Sequence, residues 1–132
     1  MNERLEKELA VLRRYHPDLE HQEVGQILWV RIPDYSVPAG IWNRDKTSVC
    51  FEVNTATYPG NAPYGFYVEY GMRLKSGATP QNYTDSASTP FPGNWSKFSW
   101  SAENWRATSD LGSGSNLANF VATFAGRFKE QI

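Results

Sequence analysis

The sequence is poor in the residues that most small active sites depend on. It has one cysteine, Cys50, which excludes an intrachain disulfide and a cysteine-based zinc site. It has two histidines, His16 and His21, both in one short N-terminal stretch beside Asp18 and Glu20. A metal centre needs three or four converging ligands, so these four read as solvated polar residues in a connector. No block of lysine or arginine occurs, and 13 basic residues nearly balance 14 acidic ones for a net charge of −1. That excludes the electrostatic footprint of a nucleic-acid or anionic-membrane binder. No apolar run approaches the roughly 18 residues of a membrane span. No basic-then-apolar leader is visible, so the expectation is a reducing, cytoplasmic compartment.

What is present suits a globular fold. A chain of 132 residues forms one domain, 1–132, able to bury a core without staples. Aromatic residues make up 14%, enough to supply much of the packing area, and they crowd into Phe91–Trp105. Leu5, Leu9 and Leu12 predict an amphipathic helix over 2–14, capped by Asn2 and ended by Pro17. Strands are predicted at 26–32, 47–54 and 64–70. In the latter two, Val49, Phe51, Val53 and then Phe66, Val68, Tyr70 alternate with the period of half-buried strands. Residues 75–94 read as irregular, followed by a short strand at 95–100. Leu117, Phe120, Val121, Phe124 and Phe128 predict a C-terminal helix, with Ser115 as cap and Arg127 and Lys129 in its last turn. The fold class is α+β: N-terminal helix, antiparallel three- to four-stranded meander, long irregular segment, C-terminal helix.

Several chemistries find little support. A Ser-His-Asp hydrolase needs a histidine beside its nucleophile, and no Gly-x-Ser-x-Gly elbow exists. Gly112-Ser-Gly-Ser115 lacks the lysine of a phosphate-binding loop and reads as a flexible helix start. Cys50 lies mid-strand, where a small structural residue is expected rather than a reactive thiol. No cofactor motif is found.

The most informative segment is Tyr58-Pro-Gly-Asn-Ala-Pro63, a rigid turn between two alternating strands. With Trp105 and the final helix it resembles the ubiquitin-conjugating-enzyme superfamily and its RWD relatives. The phrase Phe98-Ser-Trp-Ser-Ala-Glu-Asn-Trp-Arg-Ala-Thr-Ser-Asp110 resembles the bacterial branch of that superfamily. The resemblance implies a transfer component that works with a ThiF-type activating enzyme, a ubiquitin-like modifier and an associated JAB-type or other peptidase. It implies that the first helix docks the activator. In the superfamily a nucleophilic cysteine precedes the tryptophan by about eight residues; here Lys97–Ser99 stands there.

Two expectations follow from that departure. In one, a serine carries the modifier as an oxyester: Ser99 is nearest, then Ser101 and Ser96. The superfamily's oxyanion asparagine would correspond to Asn82, Asn94 or Asn104, and Glu103 or Asp110 would serve as base. In the other, the domain is a non-catalytic module that binds modifier or activator through its aromatic region.

Overall fold

The computed structural model describes residues 1–132. Its order is helix α1 (Glu3–Tyr15), strands β1 (Glu20–Val24), β2 (Ile27–Ser36), β3 (Lys46–Asn54), β4 (Tyr64–Glu69), β5 (Tyr83–Ala87) and β6 (Trp95–Ser101), then helices α2 (Leu117–Ala122) and α3 (Phe124–Lys129). The strands form one antiparallel sheet in the order β1-β2-β3-β4-β6-β5. No helix is long and apolar enough to cross a membrane.

The α+β class and the helix–sheet–helix order are as expected of a conjugating-enzyme-like fold, but the sheet has six strands. The two additional strands lie at its edges. β1 reads Glu-His-Gln-Glu-Val and is exposed along its length, so it shows no alternation. β5 lies inside the segment expected to be irregular, and its register with β6 shifts between Thr84 and Ala87. β2 runs on through Pro33, because a bulge between Ile32 and Tyr35, with Asp34 at φ 54°, absorbs the missing amide.

One face of the sheet meets all three helices. Val30 pairs with Phe51, Val49 with Val68, and Phe66 with Phe98. Each is buried against Leu5, Leu9 and Leu12 of α1 or the helical phenylalanines Phe120, Phe124 and Phe128. Ring contacts knit this core: Phe66–Phe124 at 4.1 Å, Phe51–Phe120 at 5.5 Å and Phe66–Phe98 at 5.3 Å between centroids. Each such ring removed from water stabilises the fold by about 1.5–3 kcal/mol. On the opposite face Cys50, Tyr67, Phe91 and Trp95 make a smaller core under the loop before β6. Tyr70, expected to extend the Phe66–Val68 stripe, falls in the turn after β4 and is exposed.

The C-terminal helix is broken at Thr123, and its cap is Asn116 rather than Ser115. Asn116 accepts from the Asn119 amide at 2.8 Å, while the Asn119 side chain accepts from the Asn116 amide at 3.2 Å. Ser115 instead uses its hydroxyl oxygen to accept from the Arg106 amide at 2.8 Å.

A buried carboxylate joins these parts. Glu8 on α1 is 2% exposed. It accepts from the Leu117 amide at 2.6 Å, from the Tyr58 hydroxyl at 2.8 Å, and from Arg4 Nε at 2.9 Å. The Leu117 amide is one of the unpaired donors at the start of α2, so the carboxylate satisfies it and meets the positive end of the helix. Arg4 reaches onward to the carbonyls of Thr108 and Ser115. Replacing Glu8 by alanine leaves the Tyr58 hydroxyl and the Leu117 amide buried without partners. We expect a loss of about 3–5 kcal/mol in urea denaturation. Arg4→Ala, at a partly exposed position, should cost clearly less; equal losses would show that the ion pair alone matters.

Candidate functional site

The far end of β6 is shaped by a bulge. Tyr64 pairs with Ser101 and Phe66 with Phe98, so Ser99 and Trp100 together oppose Gly65. Gly65 has φ +74°, and a Cβ there would lie 2.7 Å from Lys97 Cε and 3.0 Å from the Phe98 carbonyl. Only glycine fits this crossing. On the other side of β6 the Ser99 amide donates to the Asn82 carbonyl at 2.8 Å. Asn82 itself is left-handed, at φ 53°, a conformation asparagine tolerates. Trp100 lies edge-on to Phe66 and donates from Nε1 to the Thr123 hydroxyl at 2.9 Å. That bond ties β6 to the break between α2 and α3.

These constraints leave an open cavity of about 480 Å³. Asn82, Ser99, Ser101 and Glu103 line it, with Tyr64, Trp100 and Thr123 as its remaining walls. Ser99 and Ser101 are both exposed. Glu103 is the one carboxylate in the lining.

The other candidate residues lie elsewhere. Ser96 is fully buried, and its hydroxyl donates to the Asp85 carbonyl at 2.7 Å. Burial and this strand-to-strand bond hold it away from solvent and from the Ser99 cavity. Asn94 stands at the opposite end of β6, in a separate polar cavity with Arg31, Arg44 and Glu69. Asp110 stays in the loop before α2, where its carboxylate accepts from the Gly112 amide at 2.9 Å. Neither Asp110 nor Asn104 lines the Ser99 cavity. His16 stacks on Tyr35 at 6.3 Å, and burial lowers its pKa. His21 accepts from Arg13 at 2.8 Å through Nδ1.

Trp105 packs against the proline turn: its ring centroid is 5.9 Å from that of Tyr58, and Nε1 donates to the Pro59 carbonyl at 2.8 Å. The turn and the tryptophan-rich loop are therefore one structural unit. Burial, reinforced by the charge of Glu8, pushes the Tyr58 phenol upward, so it remains a donor. Tyr64, Trp100 and Thr123 were not anticipated as walls. Thr123 carries no local signal, since the helix pattern runs straight through it.

Cys50 is fully buried in the smaller core. Burial pushes its thiol pKa up, with the charge of Arg31 opposing. A thiol so placed is neutral and inaccessible. We expect iodoacetamide to label Cys50 only on unfolding, followed by mass spectrometry with and without urea; rapid labelling of the native chain would contradict the burial. The raised pKa also fixes a sign. The unfolded chain releases this proton first on alkaline titration, so the thiol's contribution to stability declines as pH rises above the ordinary range of about 8.5.

A sequence model of the family described as Prokaryotic E2 family E matches residues 5–117. No curated protein matches the chain. No solved structure matches it.

Proposed function

We propose a function from one premise: the chain belongs to prokaryotic E2 family E. Membership supports a ubiquitin-conjugating-like role in bacterial conjugation systems, with an activating enzyme and a modifier as its partners. The finer reading is that Ser99 carries the modifier's C-terminal acyl group as an oxyester. The observation that carries it is the shared cavity: Ser99 and Ser101 from β6, Asn82 from the turn before β5 and Glu103 from the turn after β6 line one opening. The only thiol in the chain is sealed in the core on β3.

The step balances as an acyl transfer. The Ser99 oxygen attacks the carbonyl carbon of the modifier adenylate, and an O–C bond forms. The bond from that carbon to the AMP oxygen breaks, and AMP leaves with the electron pair. The hydroxyl proton passes to the Glu103 carboxylate, directly or through a water. A serine hydroxyl is a weak nucleophile at neutral pH. An adenylate is already activated, which lowers the demand on the base. The developing oxyanion needs a fixed donor, and the Asn82 side-chain amide at the cavity wall is suited to give it. A lysine amine of the target then attacks the oxyester and releases Ser99. The partners of this reading are a ThiF-type activating enzyme and, in the same system, a peptidase that processes the modifier. The exposed charged faces of α1 (Glu3, Glu6, Lys7, Arg13, Arg14) suit recognition of the activator.

The second reading is a binding module that docks modifier or activator without chemistry. The openness of the aromatic walls, with Tyr64 54% exposed, favours it as much as the first. Incubation with the modifier, its activating enzyme and ATP separates the two. We expect an adduct that survives reductant, breaks in hydroxylamine or base, and is missing in Ser99→Ala. Asn82→Ala should slow its formation on the order of a hundredfold. No adduct under any condition would leave the binding module. Loss of an adduct in Cys50→Ala would reject the serine.

A further inference from the structure

α3 carries a cation that the fold buries. Arg127 is 2% exposed. Its guanidinium lies 4.6 Å from the Phe98 ring centroid and 5.8 Å from that of Trp42. Nη2 donates to the main-chain oxygens of Gln81 and Ile132, each at 2.9 Å. Nε is 3.8 Å from the Glu130 carboxylate, and Nη1 is buried without a partner. The helix pattern expects this residue merely to complement the negative end of the helix. A buried guanidinium with an orphaned nitrogen is costly, and an apolar side chain of similar volume packs as well or better.

What arginine adds there is a fixed donor under the Gln81 carbonyl. Gln81 and Asn82 are themselves exposed, in the turn that leads into β5. Their own side chains bury little that would hold the turn. From Gln81 the chain passes directly to Asn82, whose carbonyl receives the Ser99 amide at 2.8 Å. Phe98, on which the guanidinium rests, is the residue before Ser99. Arg127 therefore braces both segments that flank the cavity, the turn before β5 and strand β6, from the core side.

We infer that Arg127 is a positioning residue: its guanidinium pins the Gln81–Asn82 turn and so holds Asn82 beside Ser99 for acyl transfer. This rests on the reading of Ser99 as the modifier carrier. Asn82 tolerates its left-handed backbone, but nothing in its own exposed side chain fixes the turn, and a wall donor displaced by about an ångström loses much of its rate effect.

Two measurements on the full chain test it. The first is amide hydrogen exchange in Arg127→Met, an apolar replacement of similar length. We expect the Ser99 amide to exchange at least about tenfold faster while amides across the β2–β3 pair are unchanged. The second is the single-turnover rate of adduct formation with modifier, activating enzyme and ATP. We expect a fall of about tenfold to a hundredfold at saturating activator, with the half-saturating activator concentration unchanged. If Arg127→Met does not fold, Arg127→Lys decides: lysine keeps the charge over Phe98 but lacks the planar fork, and it should raise Ser99 exchange in the same direction. Wild-type Ser99 protection in either folded variant overturns the inference. A folded variant with a loosened turn that transfers at the wild-type rate overturns it too. If the wild-type chain forms no adduct, the serine-carrier reading falls, and with it the catalytic purpose of the brace. The exchange arm still decides whether Arg127 holds the turn.

Discussion

One buried carboxylate organises the half of the molecule on which the family resemblance rests. Glu8 sits where α1, the proline turn and the start of α2 meet, and it bonds to all three. A lone carboxylate in that position would be prohibitive. Here its oxygens take an arginine, a phenol and a helix amide, so no lone pair is wasted and the charge is met on each side. The consequence is geometric: α1 and α2 cannot slide apart without stranding a charge. The loop from Trp105 to Ser115 is tied in twice over, through Arg4 to the Thr108 and Ser115 carbonyls and through Trp105 to Pro59.

The cavity end of β6 is held by a different kind of constraint. Its chain is aromatic on the core side and hydroxyl-bearing around the opening. Phe98 fixes one position by packing, and Trp100 fixes another by bonding to Thr123. The glycine opposite lets the two strands cross at close range. The result is a pair of serines at an opening whose backbone is well held on three sides. Such preorganisation matters more for an alcohol than for a thiol, because the alcohol brings little nucleophilicity of its own. On the proposed reading the fold supplies by positioning what the residue type lacks. The thiol that is present lies on a central strand, where it does packing work only.

Much of the scaffold was legible in the sequence. The leucine stripe of α1, the alternation of β3 and β4 and the phenylalanine stripe of the last helix each report a buried face at the period of their element, and all but Tyr70 lie in the core. The edge strands were not legible. β1 buries no side chain, and β5 is a run of Tyr, Thr, Asp, Ser and Ala flanked by loop residues, so neither prints a hydrophobic period. A glycine in the two-residue link between Val24 and Ile27, left-handed at Gly25, was the one local sign that a hairpin begins there. Of the candidate residues, Ser99, Ser101, Asn82 and Glu103 share a cavity. Ser96, the third candidate, is buried instead, because its place in the sheet and not its distance from Trp105 sets which way it faces.

By itself the sequence determined which residues are apolar at which period, where the backbone must turn, and that serine and its neighbours, not a thiol, occupy Lys97–Ser99 ahead of Trp105. Those follow from side-chain chemistry and local backbone preference, which act over a few residues. Tertiary structure alone decided that Glu8 and Arg127 are buried, since each is met by partners 46 or more residues away in the chain. It alone decided that Asn82 meets Ser99 while Asn94 does not. The pairing of β5 with β6 sets which asparagine lies across from the serine, and a register of that kind is fixed by the whole sheet rather than by any stretch of chain.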